Sequence, residues 1–199
     1  MKATTPDLTD RLAASVSQIR RAQGLSLDAL ARQSGVSRSM ISLIERGESS
    51  PTAVVLEKLA AAFGITLAYL FDQAAGVPAK ANNPVSRRAE RTVWQDPASG
   101  YVRSNISPAG GPQPMQIVEV HFPPKQRVSF ETAARDVRIF QQVWVLKGAI
   151  DITLGDERHR LREGDCLAME LDRPTTIHNP TRTAARYAVV VASQPLARR

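Results

Sequence analysis

From Leu8 to Phe71 the chain repeats one short pattern, a hydroxyl cap, an apolar face and a glycine stop, and this constrains its fold more than any other feature. Leu8, Leu12, Val16 and Ile19 recur at spacings of four, four and three, which marks one buried helical face ended by Gly24. Thr5-Pro6 ahead of it supplies a cap and a proline suited to the first turn. Ser26 caps a second segment that buries Leu27, Leu30 and Ala31 and stops at Gly35. Ser37 caps a third, with Ile41 and Ile44 inward and Gly47 as the stop, and Thr52 caps a fourth, with Leu56, Leu59 and Phe63 inward, before Gly64. Thr66 opens a short fifth through Phe71. The pattern predicts five short helices over residues 5–72.

The texture then changes. Residues 73–91 have no apolar periodicity and contain Gly76, Pro78, Asn82, Asn83 and Pro84, so they read as a linker, solvated or making a second polyanion contact through Arg87, Arg88 and Arg91. Residues 92–199 are β in character. Alternating or β-branched runs stand at 101–107, 115–122, 139–146, 149–154, 166–170 and 187–191, separated by turn residues such as Gly110-Gly111-Pro112, Lys147-Gly148, Gly155-Asp156 and Gly164-Asp165. Many short strands so punctuated indicate a sandwich or small barrel.

Composition narrows the function classes. In 199 residues no apolar run approaches the ~18–20 needed to span a bilayer, and the acidic start MKATTPDLTD is unlike a signal peptide. One cysteine, Cys166, leaves no intrachain disulfide. The expectation is a cytoplasmic protein without membrane contact. The net charge of +7 is compatible with nucleic acid, yet residues 1–72 hold eight basic and seven acidic side chains, so the excess lies outside the helical part. Local arrangement, not net charge, must locate a binding face.

That arrangement is LSLDALARQSGVSRSMISLIERG, residues 25–47. Two short helices around a turn at Gly35 cross steeply, so the second projects and suits a DNA major groove. Residues 12–71 resemble the lambda-repressor-like, Xre-type helix-turn-helix domain of five helices. The resemblance rests on Leu30-Ala31-x-x-x-Gly35-Val36-Ser37, Ile41-x-x-Ile44-Glu45-x-Gly47 and Pro51-x-x-x-x-Leu56-x-x-Leu59-Ala60. It implies that Arg38, Ser39, Ser42 and Leu43 face base edges, with Leu43 equally readable as an exposed or partner-covered apolar residue. It implies phosphate contacts for Ser26, Ser37, Arg46, Ser49, Ser50 and Thr52, and a structural ion pair between Arg20 and Glu45. Arg38 is the candidate for a bidentate guanine contact. The Gln pair common in phage members is missing, so their base preferences do not transfer. Such domains bind pseudo-palindromic double-stranded operators as two copies, and a homodimer is expected.

Residues from about 110 to 192 resemble the cupins, small jelly-roll barrels of the double-stranded β-helix type, through Phe122-Pro123-Pro124-Lys125, Val143-Trp144-Val145-Leu146-Lys147-Gly148, Leu161-Arg162-Glu163-Gly164-Asp165, Pro174 and Asn179-Pro180. The implied fold is multidomain: an all-α DNA-binding domain plus an all-β barrel. Many cupins hold a metal with His and Glu ligands. The corresponding places here carry Ser129, Glu131, Gln141 and Thr175, whereas His121, His159 and His178 fall elsewhere. No metal, no cofactor and no catalysis are therefore expected. The barrel mouth is a natural pocket for a small-molecule effector, with Glu131, Arg138, Gln141, Trp144 and Thr175 as candidate lining; Trp144 reads equally well as core. Cys166 reads as a buried core residue, with a redox sensor as the lesser alternative. The leading expectation is a ligand-responsive transcription regulator. The alternatives are a constitutive regulator with the barrel as dimerisation module, and an enzyme whose helical domain only localises it.

Overall fold

The computed structural model describes residues 8–74, 83–109, 115–131 and 137–195. Thr5-Pro6, the Gly110-Gly111-Pro112 turn and residues 75–82 of the linker lie outside them. Five helices come first: α1 (Leu8–Ala22), α2 (Leu27–Ser34), α3 (Arg38–Glu45), α4 (Ala53–Ala62) and α5 (Leu67–Ala74). The starts of α2 to α5 are fixed by hydroxyl caps, Thr66 Oγ1 accepting from Tyr69 N at 3.0 Å for α5. Ser26 Oγ accepts from Ala29 N at 3.1 Å, Ser37 Oγ from Met40 N at 3.2 Å, and Thr52 Oγ1 from Val55 N at 3.3 Å. Gly35 ends α2 at φ 67°, a left-handed conformation that costs a residue with a Cβ. Leu12, Val16, Leu30, Ile41, Ile44, Leu56, Leu59 and Leu70 fill the helical core.

After a single 3₁₀ turn at Arg88–Glu90, ten strands follow: β1 (Val93–Gln95), β2 (Val102–Asn105), β3 (Met115–Phe122), β4 (Arg127–Phe130), β5 (Val137–Lys147), β6 (Ala149–Leu154), β7 (Glu157–Arg162), β8 (Cys166–Glu170), β9 (Thr175–His178) and β10 (Ala185–Pro195). They form two antiparallel sheets, β1-β2-β3-β10-β5-β8 and β4-β9-β6-β7. The interleaved orders β3-β10-β5-β8 and β4-β9-β6-β7 are those of a two-sheet jelly roll, the cupin architecture, with β1 and β2 added to one edge. The two sheets stay separate and bury their facing side chains together, Val118, Val120, Phe122, Val143, Val189 and Val191 from one and Val128, Ile150, Ile152 and Leu161 from the other. Gly148 turns β5 into β6 at φ 81°, where a Cβ would lie 3.3 Å from both Ala184 O and Ala185 Cα. Buried Asn179 ties the next corner, donating to Phe122 O, Pro123 O and Thr183 O.

The two parts share an interface. A row of aromatic rings runs from α5 into the sandwich: Phe71, Trp94, Tyr101, Phe122 and Tyr187, with successive centroids 5.3, 5.9, 5.9 and 6.2 Å apart. Buried Asp96 accepts from Ala53 N at 2.8 Å and adds a second cap to α4, while its other oxygen accepts from Ser99 N and Oγ. Asp72 accepts from Asn105 Nδ2 at 2.7 Å and from Gln116 Nε2. The segment entering the β part is thus a buried joint from Trp94 onward, not a continuation of the linker. No single helix among the described residues is long and apolar enough to cross a membrane; α4 and α5 break from each other by 97°.

Candidate nucleic-acid interface and barrel cavity

Helix α3 is anchored by its apolar side and by an ion pair. Ile41 and Ile44 are buried. Arg20 Nε meets Glu45 Oε1 at 2.6 Å, Arg20 Nη2 meets Oε2 at 2.8 Å, and Nη1 donates to Leu25 O at 2.8 Å. The hydrogen-bonded Glu45 carboxylate holds the Arg20 guanidinium above its ordinary pKa range. This two-pronged pair fixes α3 to α1 with little freedom to rotate.

The opposite side of α3 faces solvent. Arg38 and Ser39 are exposed at its first turn, and Ser42 and Leu43 are half-buried on the same helix. Arg38 Nε stands 3.2 Å from Asp28 Oδ1, and both side chains are more than 60% exposed (64% and 62%), a contact that a duplex can displace cheaply. Ser42 Oγ accepts from Arg46 Nη1 at 2.5 Å, and Arg46 also grips Glu48 at 2.7–2.8 Å. Ser26, Ser37 and Thr52 spend their hydroxyls on helix caps, Ser50 is exposed, and Ser49 is half-buried with its hydroxyl 3.8 Å from Met40 Sδ. Met40 itself is an exposed large apolar residue and not core; it joins Arg38 and Ser39 on the open side. Exposed helix starts and an arginine held only by an exposed ion pair make an anion-facing surface.

Comparison with known proteins decides the family. The HTH_3 helix-turn-helix family model matches residues 16–70. The HTH-type transcriptional regulator y4dJ of Sinorhizobium fredii is 32% identical over 60 residues, which cover 78% of that protein and 30% of this chain. The chain belongs to the HTH_3 transcriptional regulators. It is also similar to the HTH-type transcriptional regulator SutR of Escherichia coli (strain K12), 43% identical over 54 residues; that match spans 27% of this chain and only 30% of SutR. A crystal structure of an HTH_3 family transcriptional regulator from Vibrio cholerae superposes at a TM-score of 0.74 with 27% identity, covering 95% of this chain and 98% of that one. DNA is the partner that HTH_3 membership implies.

This HTH_3 protein carries a second site between its domains. A cavity of about 90 Å³ is lined from the sandwich by Tyr101, Arg103, Val120, Phe122, Gln141, Val143, Thr175 and Tyr187, among others, and from the helical domain by Glu57, Thr66, Leu67 and Ala68. Of the expected lining, Glu131, Gln141 and Thr175 stand there. Arg138 and Trp144 do not. On β5 the inward side chains are Ile139, Gln141, Val143 and Val145; the even-numbered positions point out, because strand side chains alternate. Arg138 is held outside by Glu170 at 2.6–2.8 Å, and Trp144 is 51% exposed. Cys166, paired in register with Trp144, is exposed on that outer face too, not buried core.

The places where cupins keep metal ligands do not fit a metal here. Gln141 offers a neutral amide and Thr175 a hydroxyl, Ser129 Oγ is 2.9 Å from Thr176 Oγ1, and Glu131 is drawn to Lys58 Nζ at 2.7 Å. The three histidines lie apart, beside Glu119, Glu157 and Asp151. The residue that sequence reasoning missed is Arg103. Its signal was available: Tyr101 and Arg103 are two apart across the start of β2, and both are buried.

Proposed function

We propose that this protein is a sequence-specific operator-binding regulator whose jelly roll senses a small metabolite and thereby modulates DNA binding. The carrying observation is that the cavity walls come from both domains, Leu67 and Ala68 of α5 meeting Tyr101, Val120 and Val189 of the sandwich. An occupant touching both walls binds one domain arrangement more tightly than another, and linkage then requires that it shift the population of that arrangement. A coupling of ~1–3 kcal/mol changes operator affinity roughly 5–150-fold. Calorimetry with candidate metabolites, followed by operator titration with and without the hit, tests this; equal operator affinity in both titrations rejects it. The reading assigns the chain no catalysis, in keeping with the neutral Gln141 and Thr175 where cupins keep ligands; stoichiometric, tightly held iron, zinc or manganese in purified protein would overturn that.

The regulator is read as a homodimer on a pseudo-palindrome. The outer face of the six-stranded sheet supports this. Met115 and Ile117 on β3, Val190 on β10 and Phe140 and Trp144 on β5 share that face in adjacent registers, and Met115, Ile117 and Trp144 are exposed. Such a contiguous apolar strip suits a self-complementary partner. Trp144→Glu is expected to convert a dimer into a monomer in light scattering and to weaken operator binding. A variant that stays dimeric refutes this face as the interface.

A further inference from the structure

The cavity holds one group that the fold does not use. Arg103, on β2, is 9% exposed, and its Nε and Nη2 are buried without a hydrogen-bond partner. Its guanidinium carbon lies 5.0 Å from the centre of the Phe71 ring, a contact that holds the plane in position but satisfies no N–H. Burial pushes its pKa down, opposed by the charges of Glu57 and Asp72 and by neighbouring Tyr101 and Tyr187. A buried guanidinium with orphaned donors is costly. The remaining lining is mainly apolar, Val120, Phe122, Val143, Met169 and Val191 among it. The other arginine in the wall, Arg173, is engaged by Asp172 at 2.8 Å and is half-exposed.

We propose that this cavity takes a small monocarboxylate with an apolar tail, its carboxylate seated on Arg103 Nε and Nη2. The planar fork of a guanidinium matches a carboxylate in two parallel bonds. Glu57 in the same wall and nearby Asp72 already set negative charge against Arg103, so the site has room for at most one further negative charge and disfavours a doubly charged anion. Tyr101 and Tyr187, whose phenols burial pushes further towards the protonated form, line the same wall and add no negative charge to it. The apolar remainder receives the tail. At roughly 10–15 Å³ of this volume per water, the cavity takes on the order of six to nine non-hydrogen atoms. Because Thr66, Leu67 and Ala68 close the same space, the ligand sits against the DNA-binding domain. The assignment rests on the sensor reading above and gives it a chemical class.

The test is calorimetric titration of the full-length protein with acetate, butanoate, hexanoate and decanoate, with hexan-1-ol and hexylamine as charge controls and inorganic phosphate as a bare anion. Hexanoate is expected to bind with one site per chain, more tightly than acetate or decanoate, and the alcohol, the amine and phosphate not to saturate. Arg103→Met, which keeps the bulk and removes the charge, is expected to weaken hexanoate roughly 10–150-fold while keeping the thermal midpoint. Should that variant not fold, Arg103→Lys keeps a charge without the fork, and a several-fold loss is expected. Absence of saturable binding by any of the acids, binding unchanged by both substitutions, or phosphate as tight as hexanoate overturns the proposal. Operator titration separates it from the sensor reading. Acid binding through Arg103 with unchanged operator affinity sinks the sensor and keeps the site. An unrelated metabolite that moves operator affinity keeps the sensor and sinks the site.

Discussion

Arg38 on the helix α3 surface and Arg103 in the jelly-roll cavity live in opposite environments. Arg38 stands in water, its charge cheaply paired to Asp28 and free to leave. Arg103 is enclosed, with donors that water does not reach. In the proposed function the first meets a partner that arrives from outside with many phosphates and takes over local pairings. The second can serve only something small enough to enter between two domains. The difference follows from where each residue's neighbours come from: α3 is tied by the Arg20–Glu45 pair, 25 residues apart in sequence and inside one helical domain, whereas the Arg103 pocket needs β2, β3, β5, β10 and two helices at once.

The largest effect should come from the element the two regions share. Phe71→Ala removes the ring that stacks on Trp94 and carries Arg103, in a core where it is almost wholly buried. A loss of ~3–5 kcal/mol is expected, with helical and strand signals in thermal unfolding moving down together. If only the helical transition shifts and the strand signal stays, the domains do not share a core and the comparison fails. Next is Arg38→Ala. It should cost ~1–3 kcal/mol of operator discrimination, leave non-specific DNA binding close to unchanged and leave the melting curve where it was. Equal affinity for cognate and scrambled duplexes in the parent protein would remove the basis for a reading helix altogether. Asp96→Ala comes third. It strips the second cap from α4 at Ala53 N, and ~0.5–2 kcal/mol is expected, read as a lowered denaturation midpoint without change in the hexanoate isotherm.

These effects differ in how far they could be read in advance. The hydroxyl caps at Ser26, Ser37, Thr52 and Thr66, the Gly35 stop and the Arg20–Glu45 pair were legible, because a helix is specified by residues three or four apart and the motif by fixed spacings. Strands β3, β6 and β8 were legible over their full lengths. Strands β4, β7 and β9 were not, since Arg127–Phe130, Glu157–Arg162 and Thr175–His178 are short or highly charged and gain their order from cross-strand pairing alone. The outward Arg138 and Trp144 were misplaced for a related reason: alternation says which residues share a face, but not which face is inside. The role of Glu57, Leu67 and Ala68 in the cavity depends on docking of one domain on the other, which no local signal carries.

The smallest effect is electrostatic and lies at the joint itself. Asp72 is half-buried, and burial raises its pKa, opposed by hydrogen bonds from Asn105 and Gln116 and by the charge of Arg103. A carboxyl whose folded pKa is raised contributes stability that is fully present below the unfolded value, about 3.9, and lost as pH rises through the folded one. Ionised Asp72 is therefore a small net cost near neutrality, and Asn at this position keeps an acceptor for Asn105 without the charge. Asp72→Asn is expected to gain in thermal midpoint relative to the parent as pH is raised from about 4 towards 7, with no such gain at the acid end. A variant that instead loses ground steadily as pH rises would mean that the Arg103 charge, not burial, governs Asp72. The two arginines would then differ less than their surroundings suggest, because Arg103 would already have its anion.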